Sequence, residues 1–460
     1  MPRLRPVQIF FLFVLIGFAV AAFAGVPLAW DGAFYLFASL DAQIPFIPHG
    51  RLINVALELP VVAASHLTQN FTLLRLVFCL SYASAPVAGL AASWLVCRER
   101  RPSLFVWPAL SCCLAMLPGR FAFSGEATMS AWLLWPVFLS ALIGVRRTLL
   151  PVVALMALAG FLAHPITAEF FALSAAAAAI AAFTSPAQRR RRLYGALALG
   201  LIALARTLMP LSDYEKARLS IPIVVGAFRV ALLGLPLVAL ALSFVAAACL
   251  LNSARNRTET SRASKSDYVA IAAIVAAGIV LIPWALNAHR WAWQLAYRFF
   301  TVPITTAFMI AAAVEVLYLA VPRPDSESPS QNARLLILPF IGGVFLIVLS
   351  LQSIVWLRLT GRLERTLSVA PAGCIPRVAL LWARRTPLDH WSVAPYAIDI
   401  QGRKPKTLVL DRCREFVATG EARLSRQLLR SRHGGWFDLE DIPATIISLR
   451  QLKPEEWAAP

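Results

Sequence analysis

Acidic and basic side chains are concentrated in one short segment that follows the first long apolar run of the chain. Asp31 stands at the end of that run, and Asp41 follows it. His49, Arg51 and Glu58 come next, before the following apolar run begins. An ionised carboxylate is costly to place near lipid unless it is paired or used. The segment is therefore a candidate functional site, and Asp31 is its first candidate residue.

Asp31 also has a structural interpretation. It can cap a short interfacial helix that begins at Gly32, with Trp30 as an aromatic anchor at the membrane surface. The capping role and the functional role are compatible, so both stay open.

Further ionisable residues are predicted on the same side of the membrane. They stand near the ends of later apolar runs: Arg120, Glu126, His164, Glu169, Arg206, Arg229, His289, Arg290 and Arg298. Taken singly, an outer Arg is more often a lipid-phosphate contact, and a His before Pro is more often a turn residue. The prediction that so many of these residues lie on one side of the membrane favours a functional site there. All six His are predicted in outside segments: His49, His66, His164, His289, His390 and His433.

Membrane spans are the elements that must position these residues. Hydrophobic residues make up 59% of the 460 residues and charged residues 15%, which excludes a water-soluble fold and is typical of a polytopic membrane protein. The net charge of +19 raises the question of nucleic acid, but the Arg residues form short clusters between apolar runs of about 20 residues. These clusters indicate topology, and we expect no nucleic-acid partner.

The apolar runs predict an all-α polytopic membrane bundle of about eleven transmembrane helices, with the N-terminus inside and the C-terminus outside. We assign residues 1–356 to this bundle, with a first extracytoplasmic loop over residues 30–70. The first run, about residues 9–29, has an alternative as a removable signal, because Ala22-Phe23-Ala24 resembles a cleavage site.

Residues 357–460 are far less apolar and predict a small extracytoplasmic α/β domain. Within it we expect a strand at residues 406–410 and a helix around residues 421–431. Cys374 and Cys413 are the only cysteines of this domain, and an oxidising compartment favours their pairing if their Cα atoms approach within about 7 Å. Chance co-location is the alternative.

This order of elements resembles the GT-C superfamily of integral-membrane glycosyltransferases. The shared features are an N-in chain of many spans, an acidic residue just past the first span and an outside C-terminal domain. The residues that carry the likeness are Trp30-Asp31-Gly32, followed by Asp41, His49 and Arg51. The likeness covers the architecture of most of the chain. Many members have two adjacent acids in this loop, whereas Gly32 follows Asp31 here, which leaves a divalent cation open.

The resemblance implies a hexosyl- or pentosyltransferase of the bacterial cytoplasmic membrane. It would move a sugar from a polyprenyl-phosphate donor to a lipid, glycan or protein acceptor at the outer face. Asp31, with Asp41 as the second carboxylate, would accept the proton of the acceptor hydroxyl. The cations expected at the donor phosphate are Arg298, Arg229, Arg290 and His289. The residues expected to bind substrate are His49, Arg51, Glu58, Arg120, Glu126, His164 and Glu169.

Two other classes of function fit parts of this pattern. A lipid-linked glycan transporter would carry charge through its spans and on both faces, whereas most candidates here are predicted outside. A surface-polysaccharide polymerase or ligase would typically have a large late outside loop, whereas the late outside loops here are short. The sequence leaves the sugar and the acceptor undetermined.

The topology can be tested at the Arg clusters, because residues 98–101, 146–147, 189–192 and 255–265 all predict inside loops. In a Gln188→Cys variant, we expect an impermeant maleimide to label residue 188 only after the membrane is permeabilised. Labelling of this position in intact cells would reject the predicted orientation and the outer site with it.

Overall fold

The computed structural model describes residues 5–29, 31–116, 125–184, 188–213, 216, 301–318, 335–383, 386, 388 and 393–419. It also describes short pieces of the C-terminal region, namely residues 422–424, 427–429, 436–437, 439, 442–443 and 445–447. The described part is mostly helical, with a small amount of strand. The fold agrees in this respect with the predicted helical bundle and its α/β C-terminal region.

The described residues of the first half of the chain form nine α-helices, joined by loops and 3-10 turns. They are α1 Pro6–Ala24, α2 Asp31–Ala42, α3 Ile53–Leu67, α4 Phe71–Cys97, α5 Val106–Met116, α6 Glu126–Ile143, α7 Leu150–Ala163, α8 Thr167–Thr184 and α9 Arg189–Leu208. Two helices follow in the described later part, α10 Thr301–Tyr318 and α11 Leu338–Val369.

Four helical segments of the described residues are long and apolar enough to cross a membrane. They are Pro6–Ala24, Phe71–Cys97, Glu126–Ile143 and Leu335–Val369. Shorter apolar helices lie among them, including α3, α7 and α8. These segments indicate a membrane protein. The prediction of about eleven spans with the N-terminus inside also includes runs beyond the described residues, such as those near 231–251 and 268–288, and it stays a prediction.

The first helix ends earlier than its apolar run. Gly25 has φ +80°, a left-handed conformation that favours glycine, and its N–H donates to the carbonyls of Ala21 and Ala22. A 3-10 turn over Val26–Leu28 then leads to α2. The apolar run therefore continues past the helix, because left-handed Gly25 ends the helical hydrogen bonding before the hydrophobic residues end.

Small residues let the helices of the bundle approach closely. A Cβ added at Gly17 of α1 would lie 3.3 Å from Leu349 of α11, and one at Gly342 of α11 would lie 3.2 Å from the Phe10 carbonyl. A Cβ at Gly89 of α4 would overlap the backbone of Trp132 in α6. Close backbone approach at small residues is a common way to pack helices in a membrane.

Helix α6 lies at the centre of the described bundle. It packs against α4, α7, α8 and α10, and its Trp132 and Trp135 are completely buried. Helix α1 packs along α11 and contributes Phe10 and Val14 to the core. The first residue of α6, Glu126, therefore lies at the end of a helix that is enclosed on several sides.

The C-terminal region continues directly from α11. That helix runs unbroken to Val369, so the domain boundary predicted at residue 356 falls inside it. The region contains β1 Gly373–Pro376 paired in parallel with β2 Thr407–Leu410, and helices α12 Val393–Gln401 and α13 Cys413–Thr419. Strand β2 confirms the strand expected at residues 406–410.

The helix expected around residues 421–431 was wrong. This stretch instead contains β3 Ala422–Leu424 and β4 Gln427–Leu429, which pair in antiparallel register as a hairpin. The segment is rich in residues that favour helix, but β3 packs against α13 and β2. Tertiary pairing therefore overrides local propensity here.

A disulfide links β1 to the start of α13. It joins Cys374 to Cys413 with a Cα–Cα distance of 5.7 Å, which confirms the pairing that the oxidising compartment favoured. The bond closes a chain segment of 39 residues that includes α12 and β2. It thereby holds α12 beside the parallel strand pair.

The disulfide predicts the thiol content of the purified protein. Titration of the unreduced, denatured chain should find two fewer reactive thiols than the seven cysteines of the sequence, because Cys374 and Cys413 are paired. The same titration after reduction is the control and should find all seven. Seven reactive thiols before reduction would contradict the pairing.

Candidate functional site

Glu126 is the centre of a buried polar cluster between the first loop and the bundle. Its carboxylate accepts hydrogen bonds from the Tyr35 hydroxyl at 2.9 Å and from the Asn54 amide at 3.2 Å. It also pairs with the Arg51 guanidinium at 2.7 Å. Both charged side chains are almost fully enclosed, with 6% and 0% of their surfaces exposed. The carboxylate of Glu126 in α6 is therefore contacted by α2, by α3 and by the turn before α3.

Glu58 of α3 is the centre of a second buried cluster beside the first. It accepts hydrogen bonds from the Phe46 N–H at 2.7 Å, from the Tyr82 hydroxyl at 2.8 Å, and from the Ser39 hydroxyl. Burial raises the pKa of Glu58 to about 7, although these three donors favour the charged form. The carboxyl group of Glu58 therefore has both its charged and its neutral form populated near neutral pH.

A strained turn precedes Arg51 and places its side chain against Glu126. Residues Pro48–Gly50 form a 3-10 turn in which His49 has φ +53° and Gly50 has φ +74°. A left-handed conformation costs energy for a residue such as His49, and non-glycine residues in it are concentrated at functional sites. Arg51 follows this turn immediately, and its guanidinium enters the buried cluster while His49 stays exposed.

Asp31 is the first residue of α2 and is half-buried. The helix begins at Asp31 itself and not at Gly32, and a carboxylate in the first turn of a helix is stabilised by the helix dipole. Tyr35 follows one turn later on the same face of the helix. The pKa of the Tyr35 hydroxyl is raised, chiefly by burial. The negative charges of Glu126 and then Asp31 raise it further. Asp31 is therefore within electrostatic reach of the cluster around Glu126.

Asp41 lies at the other end of the same helix. It is half-buried and is separated from Asp31 along the helix axis by about 15 Å. One small substrate centre cannot touch both carboxylates at that separation. Of these two acids, Asp31 is the one that raises the pKa of Tyr35, which is a member of the Glu126 cluster.

Other predicted site residues lie elsewhere in the described bundle. The Nδ1 atom of His164 accepts the Ile166 N–H at 3.2 Å, which matches a turn residue between α7 and α8. Glu169 is exposed and accepts the Thr306 hydroxyl of α10 at 2.8 Å. The Arg206 guanidinium lies 5.9 Å from the centre of the Phe161 ring. These contacts involve the helices α7, α8, α9 and α10.

Five further predicted residues lie outside the described residues. They are Arg120, Arg229, His289, Arg290 and Arg298. This set includes all four cations expected at the donor phosphate. In the part of the chain that the structure describes, there is no group of three or more His, Cys, Asp or Glu residues that could hold a metal ion.

The uncharged members of both clusters were missed by sequence reasoning. Tyr35, Asn54 and Tyr82 each donate to a buried carboxylate, but none has a charge that draws attention in a sequence. Only Tyr35 carried a signal, because it follows Asp31 by one helical turn. The partner of Arg51 stands 75 positions away in the chain, so local spacing could not reveal it.

Comparisons with known proteins give no further guidance. No family profile matches the chain, and no match to it was found among curated proteins or solved structures.

The Arg51–Glu126 pair predicts a large loss of stability on single substitution. Arg51→Met should lower the free energy of unfolding by about 3–5 kcal/mol, because it leaves the Glu126 carboxylate buried without its cation. The double variant Arg51→Met/Glu126→Leu should recover most of this loss, since no buried charge remains. Thermal melts in detergent, compared across both single variants and the double variant, measure the coupling. Equal losses in the single and double variants would contradict it.

Proposed function

We propose that this protein is a membrane glycosyltransferase. It transfers a sugar from a polyprenyl-phosphate donor to a lipid, glycan or protein acceptor at the outer face of the bacterial cytoplasmic membrane. In this proposal the chain has about eleven spans, with its N-terminus inside and its C-terminus outside.

The position of Asp31 is the observation that carries the proposal. It lies directly beyond a helix that is apolar enough to span the membrane, and it opens α2 in a half-buried position. It also raises the pKa of Tyr35, whose hydroxyl donates to the Glu126 carboxylate of the buried pair with Arg51. A carboxylate that is partly shielded from water and backed by a rigid polar cluster is suited to proton transfer.

The polar clusters lie at one end of the bundle, which supports an outer-face site. Helix α1 ends just before α2, and α6 begins at Glu126, so both helices present the same end to the loop of residues 30–70. Arg residues lie at the opposite ends of these helices, because Arg5 precedes α1 and residues 146–147 follow α6. With Arg-rich ends inside, the Asp31–Glu126 end faces outside.

The reaction we propose is a nucleophilic displacement at the sugar. Asp31 accepts the proton of the acceptor hydroxyl, and the oxygen forms a bond to the anomeric carbon of the donor sugar. The bond from that carbon to the phosphate oxygen breaks, and the phosphate keeps the electron pair. Arg298, Arg229, Arg290 and His289 are proposed to stabilise the charge that develops on the departing phosphate.

The residues near Asp31 have supporting roles in this scheme. The Glu126 carboxylate holds Tyr35 of α2 and Arg51 through hydrogen bonds, which sets the position of the helix that carries Asp31. His49 is exposed at the strained turn and is proposed to contact substrate, whereas Arg51 and Glu58 are buried and are proposed to hold the loop in position around it. Polyprenyl tails need an apolar path along the bundle, and exposed Leu59 of α3 and Leu73 of α4 offer such a surface near the loop.

Asp31→Asn tests the proposal directly. The amide keeps the shape of the side chain and much of its capping ability, but it cannot accept a proton. Transfer should fall by roughly 10² to 10⁴ while insertion, folding and donor binding stay normal. The assay is release of polyprenyl phosphate from a panel of lipid-linked sugars by the purified protein.

Asp213→Asn is the matched control. Asp213 is a fully exposed acid that pairs with Lys216 at 3.2 Å, and its substitution should leave transfer unchanged. Near wild-type transfer by Asp31→Asn would remove Asp31 from the reaction and make Asp41 or Glu58 the next candidate. Movement of lipid-linked sugar across vesicles without release of polyprenyl phosphate would instead indicate a transporter.

A further inference from the structure

A cleft of about 700 Å³ lies at the Arg-rich end of the bundle, opposite the clusters around Glu126 and Glu58. It opens where α1 begins, α4 ends and the 3-10 turn Leu335–Ile337 leads into α11. Its lining combines charged and apolar residues: Arg5, Pro6, Val7, Gln8, Trp94, Arg98, Glu99, Pro102, Leu335 and Leu336. Three candidate spans therefore share a cavity at their inner ends.

Two other Arg residues at this end, Arg100 and Arg192, donate to carbonyl groups near helix ends. Arg100 donates to the carbonyl of Ile143 at the end of α6, with a distance of 2.7 Å. Arg192 donates to the Ala181 carbonyl near the end of α8, also at 2.7 Å. Such bonds satisfy the carbonyls that a helix end leaves without intrahelical partners. These cations are structural.

Arg5 and Arg98 are placed differently, because both line the cleft. The Arg98 guanidinium approaches Glu99 only at 3.9 Å, whereas Glu99 forms a close ion pair with Arg146. The charge of Glu99 is therefore balanced by Arg146, which leaves the cleft with a net positive lining. Arg geometry suits a phosphate group, which accepts two parallel hydrogen bonds from one guanidinium.

The apolar part of the lining suits a hydrocarbon chain. Leu336 is 62% exposed, and Val7 and Leu335 form a buried wall beside it. Trp94 lies near the end of α4, at the level where aromatic side chains meet the headgroups of a bilayer. Phosphate-binding cations thus lie next to an apolar surface at the depth where a phospholipid changes from headgroup to acyl chain.

We propose that this cleft binds one anionic phospholipid of the inner leaflet. Arg5 and Arg98 hold the phosphate, Trp94 lies beside the headgroup, and an acyl chain follows Val7, Leu335 and Leu336. Basic pockets between transmembrane helices on the cytoplasmic side are suited to such lipids. The site joins α1, α4 and α11 and does not depend on sugar transfer at the other end of the bundle.

The test is a lipid-binding measurement on the full-length protein in detergent. Phosphatidylglycerol is titrated into delipidated protein, and native mass spectrometry counts the bound lipid. The wild-type protein should bind phosphatidylglycerol more tightly than phosphatidylcholine. Arg5→Gln/Arg98→Gln should bind it about twenty-five times more weakly, since each cation near a membrane surface contributes about fivefold. Arg147→Gln is the matched control, because Arg147 is exposed at the same end outside the cleft lining and its loss should leave binding unchanged.

Three results would overturn the proposal. They are equal binding by the double variant, equal binding of the two lipids, and displacement of phosphatidylglycerol by an equal concentration of inorganic phosphate, which would indicate a site for free anions. If the double variant does not fold, Arg98→Gln and Arg98→Lys replace it. The Gln variant should bind about five times more weakly and the Lys variant should keep most of the affinity, because it keeps the charge. Equal affinities of these two variants would also reject the site.

Discussion

The carboxylate of Glu126 is the constraint on which the site depends. Removing a charged group from water costs several kcal/mol, and this cost is offset only when its partners are in place. The partners come from α2, from the turn before α3 and from α3 itself, through Tyr35, Arg51 and Asn54. The loop of residues 30–70 must therefore fold onto α6 as a unit, since a partly assembled loop leaves the charge unsatisfied.

This dependence extends to the helix that carries Asp31. One face of α2 is held to α6 by the Tyr35–Glu126 bond, and α12 of the C-terminal region also packs against α2. Phe37 of α2 stacks on Phe437 with ring centres 4.9 Å apart, which brings the far end of the chain onto the same helix. The disulfide between Cys374 and Cys413 holds α12 in place. The C-terminal region thus packs directly against the helix that carries Asp31.

Sequence reasoning predicted the features that depend on local pattern. The end of α4 at Cys97 and the strand at Thr407–Leu410 both follow from apolar runs and charge. It missed features set by distant contacts. The hairpin of β3 and β4 depends on packing against α13, and the partner of Arg51 depends on how α6 is placed. The sequence also did not predict that α11 continues to Val369. The last turns of this helix are polar, so hydrophobicity alone ends the span earlier and assigns them to a separate domain.

The two ends of the bundle use charge in different ways. At the Arg-rich end, Arg100, Arg191 and Arg192 donate to backbone carbonyls near the ends of helices, so part of the formal charge of +19 serves to end those helices. At the other end, Glu58 and Glu126 accept mainly from side chains, and their networks lie inside the protein. A carbonyl at a helix end can accept a hydrogen bond from any of several nearby donors. A buried network of side chains instead needs each of its members, because losing one leaves a buried polar group without its partner. The acidic end is therefore where substitutions should act most specifically.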